Sequence, residues 1–367
     1  MFEGLRGVIL APHPHTQGAV PRIAAWLASG LSASDWSVEV WSWGKREDDE
    51  SVVSKVVART LDAVGIGRRL RSIGGVDFLV VKSGLDWKSV TRDLLLVTVV
   101  RRHAAAVILQ PHGSQTERLL RPGGRVFKWA VAQLLRRIDG MFLLSSEEVD
   151  AVARFSPSTR AFLVRNPYDP LCLNSTPVKV REDQYRVLFV GRMVPEKGVL
   201  DLVSAAADTD GRGVLEVTFV GAGPAADAAR VLADSLGISE SVHLVGLCNA
   251  QELHEAYVHA DVLALPTYWP EGFPTVFAEA MGFGLPIVCT PVRGASDYLV
   301  DGVHAVFVQP KDSVGLRDAL LKLRDDAELR RDMSRNNLDR VQMFAPAVVA
   351  DHYRQCIEDV MDHRRGR

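Results

Sequence analysis

The sequence predicts an α/β protein made of two Rossmann-like, doubly wound domains facing a cleft. Three observations carry this. Short apolar runs alternate with stretches of helical periodicity through both halves of the chain. A polar stretch with two prolines, about 167–184, separates the halves. The length, 367 residues, exceeds what one core ordinarily organises. The predicted domains are 1–170 and 171–344, followed by a closing helix in 345–367.

Each element follows from its local pattern. Gly7–Ala11 reads as a buried strand, 12–18 as a turn-rich loop, and Ala19–Leu31 as a helix with Ile23, Trp26, Leu27 and Leu31 on one face. Gly18 in that loop is either a plain turn glycine or a point where a ligand approaches the backbone. Ser37–Trp43 alternates as a strand, and residues 44–75 are charged and predicted to be less regular. Val76–Val81 is a strand, Val90–Arg102 a helix, and Ala105–Leu109 a strand that ends in Gln110-Pro111-His112-Gly113. His112 therefore stands at the carboxyl end of a strand, the edge where open parallel sheets bind ligands. A structural histidine remains the alternative. Residues 116–138 mix arginines with apolar side chains, which fits a core-packed amphipathic helix or one lying on an anionic membrane. Gly140–Leu144 is a strand, and Ser145 starts the helix 147–154 with a capping-type side chain. Phe162–Val164 closes the first half and leads into Arg165-Asn166-Pro167.

The second half repeats the rhythm. Strands are predicted at Tyr185–Val190, Val214–Val220, Val242–Val245, Val262–Leu265, Val288–Pro291 and Ala305–Val308, with helices between them. Helices 313–324, 326–340 and 345–362 finish the chain.

The totals exclude several classes. Net charge is −2, from 43 basic and 45 acidic residues, which argues against a generic nucleic-acid binder. The four cysteines are widely scattered, so neither a zinc site nor a disulfide framework is expected. A cytoplasmic protein without a cleavable leader or a membrane-spanning stretch is the expectation, with peripheral membrane contact through 116–137 left open.

Two stretches concentrate the chemistry. In 266–288 a strand end runs through a loop into a short helix, predicted at Thr275–Gly282, with Pro274 at its start. The first amides of such a helix are unpaired, so the site attracts anions. Glu271 and Glu279, eight positions apart, flank it. Phosphate on the amides with sugar hydroxyls on the carboxylates explains that pairing. A dipole-favouring acid and an ordinary surface glutamate explain it too. In 191–198, Arg192 and Lys197 follow a strand and precede a helix, where a fork and a point charge can neutralise a diphosphate.

EGFPTVFAEAMGFGLPIV resembles the signature of retaining glycosyltransferases of family 4, which have the GT-B fold. GRMVPEKG is similar to that family's phosphate loop, and VGAGP, HLVGL and RNPYD resemble further landmarks. The resemblance implies a metal-independent transferase that needs no cofactor beyond its nucleotide-sugar substrate. It would pass the sugar to a saccharide or lipid-linked acceptor in polysaccharide or glycoconjugate synthesis. Arg192, Lys197 and the amides of Thr275 and Val276 would hold the donor diphosphate. Glu279 would bind the ribose, and Gly246 and Leu247 would meet the base. Glu271 would contact the transferred sugar beside Gly272, Phe273 and Pro274, and His112 would face that sugar across the cleft. Gly18 and Asn166 would serve the acceptor side. The closing helix would cross back to brace the N-terminal domain. The chain departs from the pattern at Gln17-Gly18, at Trp269-Pro270, and at 291–297, where Asp297 can replace a usual glutamate. A nucleotide-sugar epimerase of the same fold and a non-catalytic nucleotide-sugar binder are the alternatives.

Overall fold

A computed structural model describes residues 4–16, 18–33, 35–44, 52–113, 115–169, 185–207, 211, 213–269 and 271–366, with the backbone alone for 52–57. Gln17, Pro270 and most of the predicted linker lie outside the described residues. The chain divides into two compact units, one of Met1–Pro167 with Pro346–Arg367 and one of Tyr168–Ala345.

The first unit holds a parallel sheet of β1 (Arg6–Ala11), β2 (Ser37–Ser42), β3 (Val76–Ser83), β4 (Ala104–Pro111), β5 (Gly140–Leu143) and β6 (Ala161–Leu163). Their spatial order is β2-β1-β3-β4-β5-β6. Strand residues alternate between two buried faces, as expected of a parallel sheet covered on both sides. Val8, Leu10, Leu79 and Val81 join one core, while Ile9, Ala11, Phe78 and Val80 join the other. Val349, Tyr353, Ile357 and Val360 of the C-terminal helix Pro346–Arg365 belong to the second of these cores. The C-terminal helix is thus part of the N-terminal unit.

One prediction fails here for an identifiable reason. The charged segment 44–75 contains a long helix, Val52–Ser72. Ala63, Ile66 and Leu70 bury one face of it at helical spacing, and the many charges of the opposite face masked that stripe. Gly67 lets this helix approach the next, because an added Cβ would lie 2.6 Å from a Val99 methyl. The strand predicted at Val76–Val81 runs on to Ser83 and so carries Lys82 into the sheet.

The second unit holds β7 (Arg186–Val190), β8 (Glu216–Val220), β9 (Val242–Gly246), β10 (Val262–Leu265), β11 (Ile287–Cys289) and β12 (Ala305–Phe307). All of its strand pairs are parallel. Their order, β12-β11-β10-β7-β8-β9, is the doubly wound arrangement in which the strand sequence reverses between β7 and β10. A crevice opens at such a reversal, beyond the carboxyl ends of the two strands. In the first unit the equivalent point lies between β1 and β3.

Candidate functional site

The loops that leave β7 and β10 contain the two stretches singled out in the sequence. Residues 191–198 follow β7, and residues 266–269 and 271–274 follow β10. Strand order, which no local pattern encodes, is what makes them neighbours.

Backbone contacts hold this edge tightly. Gly198 has φ +73°, and an added Cβ would lie 2.3 Å from the Pro266 carbonyl oxygen. The Glu196 carbonyl accepts from the amides of Tyr268 (2.9 Å) and Trp269 (3.1 Å) and from the Thr267 hydroxyl (3.2 Å). The Thr290 hydroxyl donates to the Thr267 carbonyl. These hydrogen bonds tie the two loops together.

Lys197 sits in a short 3-10 turn, Pro195–Lys197, and its Nζ donates to Glu271 Oε1 at 2.5 Å. The two side chains are 8% and 20% exposed, so the pair is largely withdrawn from water. This joins one residue from each predicted stretch. Arg192 is exposed, and its guanidinium lies over the Trp269 ring, 5.9 Å from the centroid.

The helix Thr275–Gly282 starts after Pro274. Its first amides, those of Thr275 and Val276, have no intrahelical acceptor. Glu279, one turn on, is 5% exposed and accepts from the Tyr257 hydroxyl at 2.8 Å. Tyr257 is itself stacked on Phe283, with centroids 4.9 Å apart. The sequence reading missed Tyr257, because it lies on a separate helix, Ala250–His259, and nothing local marks it as a carboxylate partner.

Phe273 differs from expectation. Its ring is buried and stacks on Phe344 at 4.8 Å, with Tyr298 and Phe277 packed around it. The side chain anchors the loop to the core, and only the Phe273 backbone is available to a ligand. Gly272 shows why the loop after β11 matters. A Cβ on Gly294 would fall 1.9 Å from the Gly272 carbonyl oxygen, so only glycine fits there. Beside it, Arg293 is buried with φ +45°, a conformation that non-glycine residues rarely adopt. Such outliers concentrate at functional sites. Gly246 ends β9 with φ +82°, and Leu247 beyond it is exposed. Those residues occupy the same carboxyl edge, on the β9 side.

The first unit places its predicted residues on its own carboxyl edge. Gly18, in the loop after β1, has φ +115° and open space where a Cβ would be. His112 follows β4, and its amide donates to the Ser83 carbonyl at 2.7 Å. The ring is half-buried, and Nε2 is shielded with no described partner. Burial first, and then the Lys82 ammonium, hold its pKa well below the usual 6.5. Asn166 is buried, and its Oδ1 has no described partner.

The two doubly wound sheets define an α/β protein of the GT-B fold class. Residues 174–340, most of the second unit, match the family model for glycosyl transferases group 1. Among curated proteins, the chain is 27% identical over 258 residues to alpha-D-kanosaminyltransferase of Streptomyces kanamyceticus, covering 67% of this chain and 66% of that one. It is 33% identical over 184 residues to D-inositol 3-phosphate glycosyltransferase of Corynebacterium aurimucosum, covering 48% and 43%. The chain thus spans less than two thirds of the length of the curated relatives it matches. Among solved structures, sucrose-phosphate synthase from Thermosynechococcus elongatus superposes with a TM-score of 0.78 at 19% identity, covering 98% of this chain and 100% of that one. Anabaena HepE in complex with UDP and glucose superposes with a TM-score of 0.72 at 16% identity, covering 96% and 99%.

Proposed function

We propose that this chain is a retaining glycosyltransferase that moves a sugar from a nucleoside-diphosphate donor to a saccharide or lipid-linked acceptor without a metal ion. The observation that carries the reading is the Lys197–Glu271 pair at the reversal point of the second sheet. The carboxylate balances the lysine. A donor diphosphate takes over that balancing role, together with Arg192 and the amides of Thr275 and Val276, and frees Glu271 to face the sugar. Glu279, already held by Tyr257, accepts from the ribose hydroxyls, and the turn at Gly246-Leu247 receives the base. Cations and helix amides fixed before the reaction stabilise the charge that develops on the leaving diphosphate. The leaving phosphate then accepts the acceptor's proton on the same face of the sugar, which retains its configuration. Gly18 and Asn166 serve the acceptor side, and His112 serves the transferred sugar. The HepE complex with UDP and glucose supports a uridine nucleotide as the first donor to try.

The test is release of nucleoside diphosphate from a panel of nucleotide-sugars. Turnover with at least one donor is expected, lost in both Glu271→Ala and Lys197→Ala. Full turnover in both variants refutes the assignment.

The same proposal includes peripheral membrane contact. The segment 116–137 forms the helices Glu117–Leu120 and Arg125–Leu135, broken at Pro122-Gly123-Gly124. Phe127, Val131 and Leu134 are buried, whereas Leu120, Val126 and Trp129 face solvent among exposed Arg118, Arg121 and Arg125. That combination suits an anionic lipid surface. No described helix is long and apolar enough to cross a membrane.

A further inference from the structure

The two cations of the loop after β7 are held in different ways. Lys197 is buried and paired with Glu271. Arg192 is exposed, and among the described residues its guanidinium has neither a hydrogen bond nor an ion pair; it lies over the Trp269 ring, 5.9 Å from the centroid. The backbone on both sides of this contact is fixed. The Gly191 amide donates to the Val220 carbonyl at 3.0 Å and the Met193 amide to the Ala222 carbonyl at 2.9 Å, which pins Arg192 to the end of β8. The Trp269 amide donates to the Glu196 carbonyl at 3.1 Å and to the Thr267 hydroxyl oxygen at 3.2 Å. What stays free is the arginine side chain, whose rotamers are many unless something holds it.

Packing does not account for the Trp269 ring. It is half-buried and is not among the side chains that pack on the core of the second unit, in contrast to Phe273 a few residues on. Nor does it use up the donors of the guanidinium. An aromatic face attracts a cation through its quadrupole and takes none of its N–H groups. A carboxylate in the same place would occupy two of them.

We propose that Trp269 is a positioning residue for Arg192. The ring holds the guanidinium at the carboxyl edge between β7 and β10, with its N–H fork open to the donor diphosphate. The inference rests on the reading that Arg192 binds that diphosphate. An arginine fixed beforehand loses less rotamer freedom when it takes the phosphate, so the contact acts on affinity.

The experiment measures binding of UDP, ADP and GDP to the full chain by titration calorimetry. The tightest of the three is carried through Trp269→Ala, Trp269→Phe, Arg192→Ala and the double variant. Trp269→Ala is expected to weaken binding about two- to fivefold, the effect of such a contact at an exposed site. Trp269→Phe keeps an aromatic face and is expected to recover most of the loss. In the Arg192→Ala background, Trp269→Ala is expected to change affinity by no more than about 1.5-fold, because the group it positions is gone. An equal loss in both backgrounds overturns the proposal, since Trp269 then acts on the loop or the ligand directly. Unchanged affinity in Trp269→Ala overturns it as well. Arginine Nε–H signals in NMR, with Arg192→Lys to assign the one at issue, report the contact itself. The indole ring current is expected to shift the Arg192 signal in wild type, and Trp269→Ala to abolish that shift. Wild-type binding in Arg192→Ala, or no binding of any of the three by wild type, refutes the site reading beneath the proposal. The NMR then still decides whether Trp269 holds the guanidinium, and a signal unmoved by Trp269→Ala shows that it does not.

Discussion

Replacing Glu271 by Gln keeps the shape of the side chain and removes its charge. Lys197, 8% exposed, then faces a neutral amide in place of a carboxylate. Leaving a fully buried charge unpaired costs roughly 3–5 kcal/mol. Two features reduce that figure here. Glu271 is 20% exposed, so water reaches the pair, and the glutamine oxygen still accepts one hydrogen bond. A loss of about 2 kcal/mol remains, in the range for hydrogen bonds to charged groups. For a unit the size of Tyr168–Ala345, at about 2–4 °C per kcal/mol, Tm falls by about 4–8 °C. Catalysis suffers more. Loss of one preorganised electrostatic group typically lowers kcat by about 100- to 1000-fold. Calorimetry and a donor-turnover assay at 25 °C, where both proteins are folded, separate the two effects. Turnover within threefold of wild type, or an unchanged Tm, would refute the reasoning.

Three further outcomes follow from the same geometry. Tyr257→Phe removes the donor that holds Glu279; a loss of about 1.5–3 kcal/mol in donor binding should raise donor KM about tenfold or more with a smaller change in kcat, and an unchanged KM contradicts the ribose role. Gly294→Ala sets a Cβ 1.9 Å from the Gly272 oxygen and should lower Tm by an amount equivalent to about 1–3 kcal/mol and cut turnover, whereas a wild-type Tm and rate would mean the loop yields freely. Lys82→Met should be more stable than wild type below pH 7. The folded Lys82 pKa is about 7 against 10.5 for the free side chain, so the unfolded wild-type chain binds the extra proton between those values. Wild-type stability therefore gains roughly 1.4 kcal/mol per pH unit relative to the variant across that window. Denaturation of both proteins at pH 6.5 and 9 measures it, and a constant difference refutes the buried ammonium.

Much of the second unit was legible because its signals are local. The helix Thr275–Gly282 is bounded by Pro274 and by glycines, and the structure gives it the predicted limits. The Arg192/Lys197 loop and the Glu271 loop were also visible, each as a strand end with charged residues. Their adjacency was not, since it depends on the order β10-β7 in the sheet. The burial of the Phe273 ring was not legible, because it comes from Phe344, far along the chain. Tyr257 and Lys82 were invisible for the same reason. A tyrosine on an amphipathic helix and a lysine ending an apolar strand carry no local mark of what they face. Arg293 shows its constraint only in its dihedral angles.

The most direct test of the central claim is thermal unfolding of the full chain with nucleoside diphosphates and nucleotide-sugars, in wild type and in Lys197→Ala. At about 100 times Kd, a ligand bound only by the folded state adds about 2.7 kcal/mol, equivalent to about 5–10 °C in a unit of this size. The account predicts such a rise for at least one nucleoside diphosphate in wild type and little or none in Lys197→Ala. No rise with any of them, or an equal rise in both proteins, would contradict it.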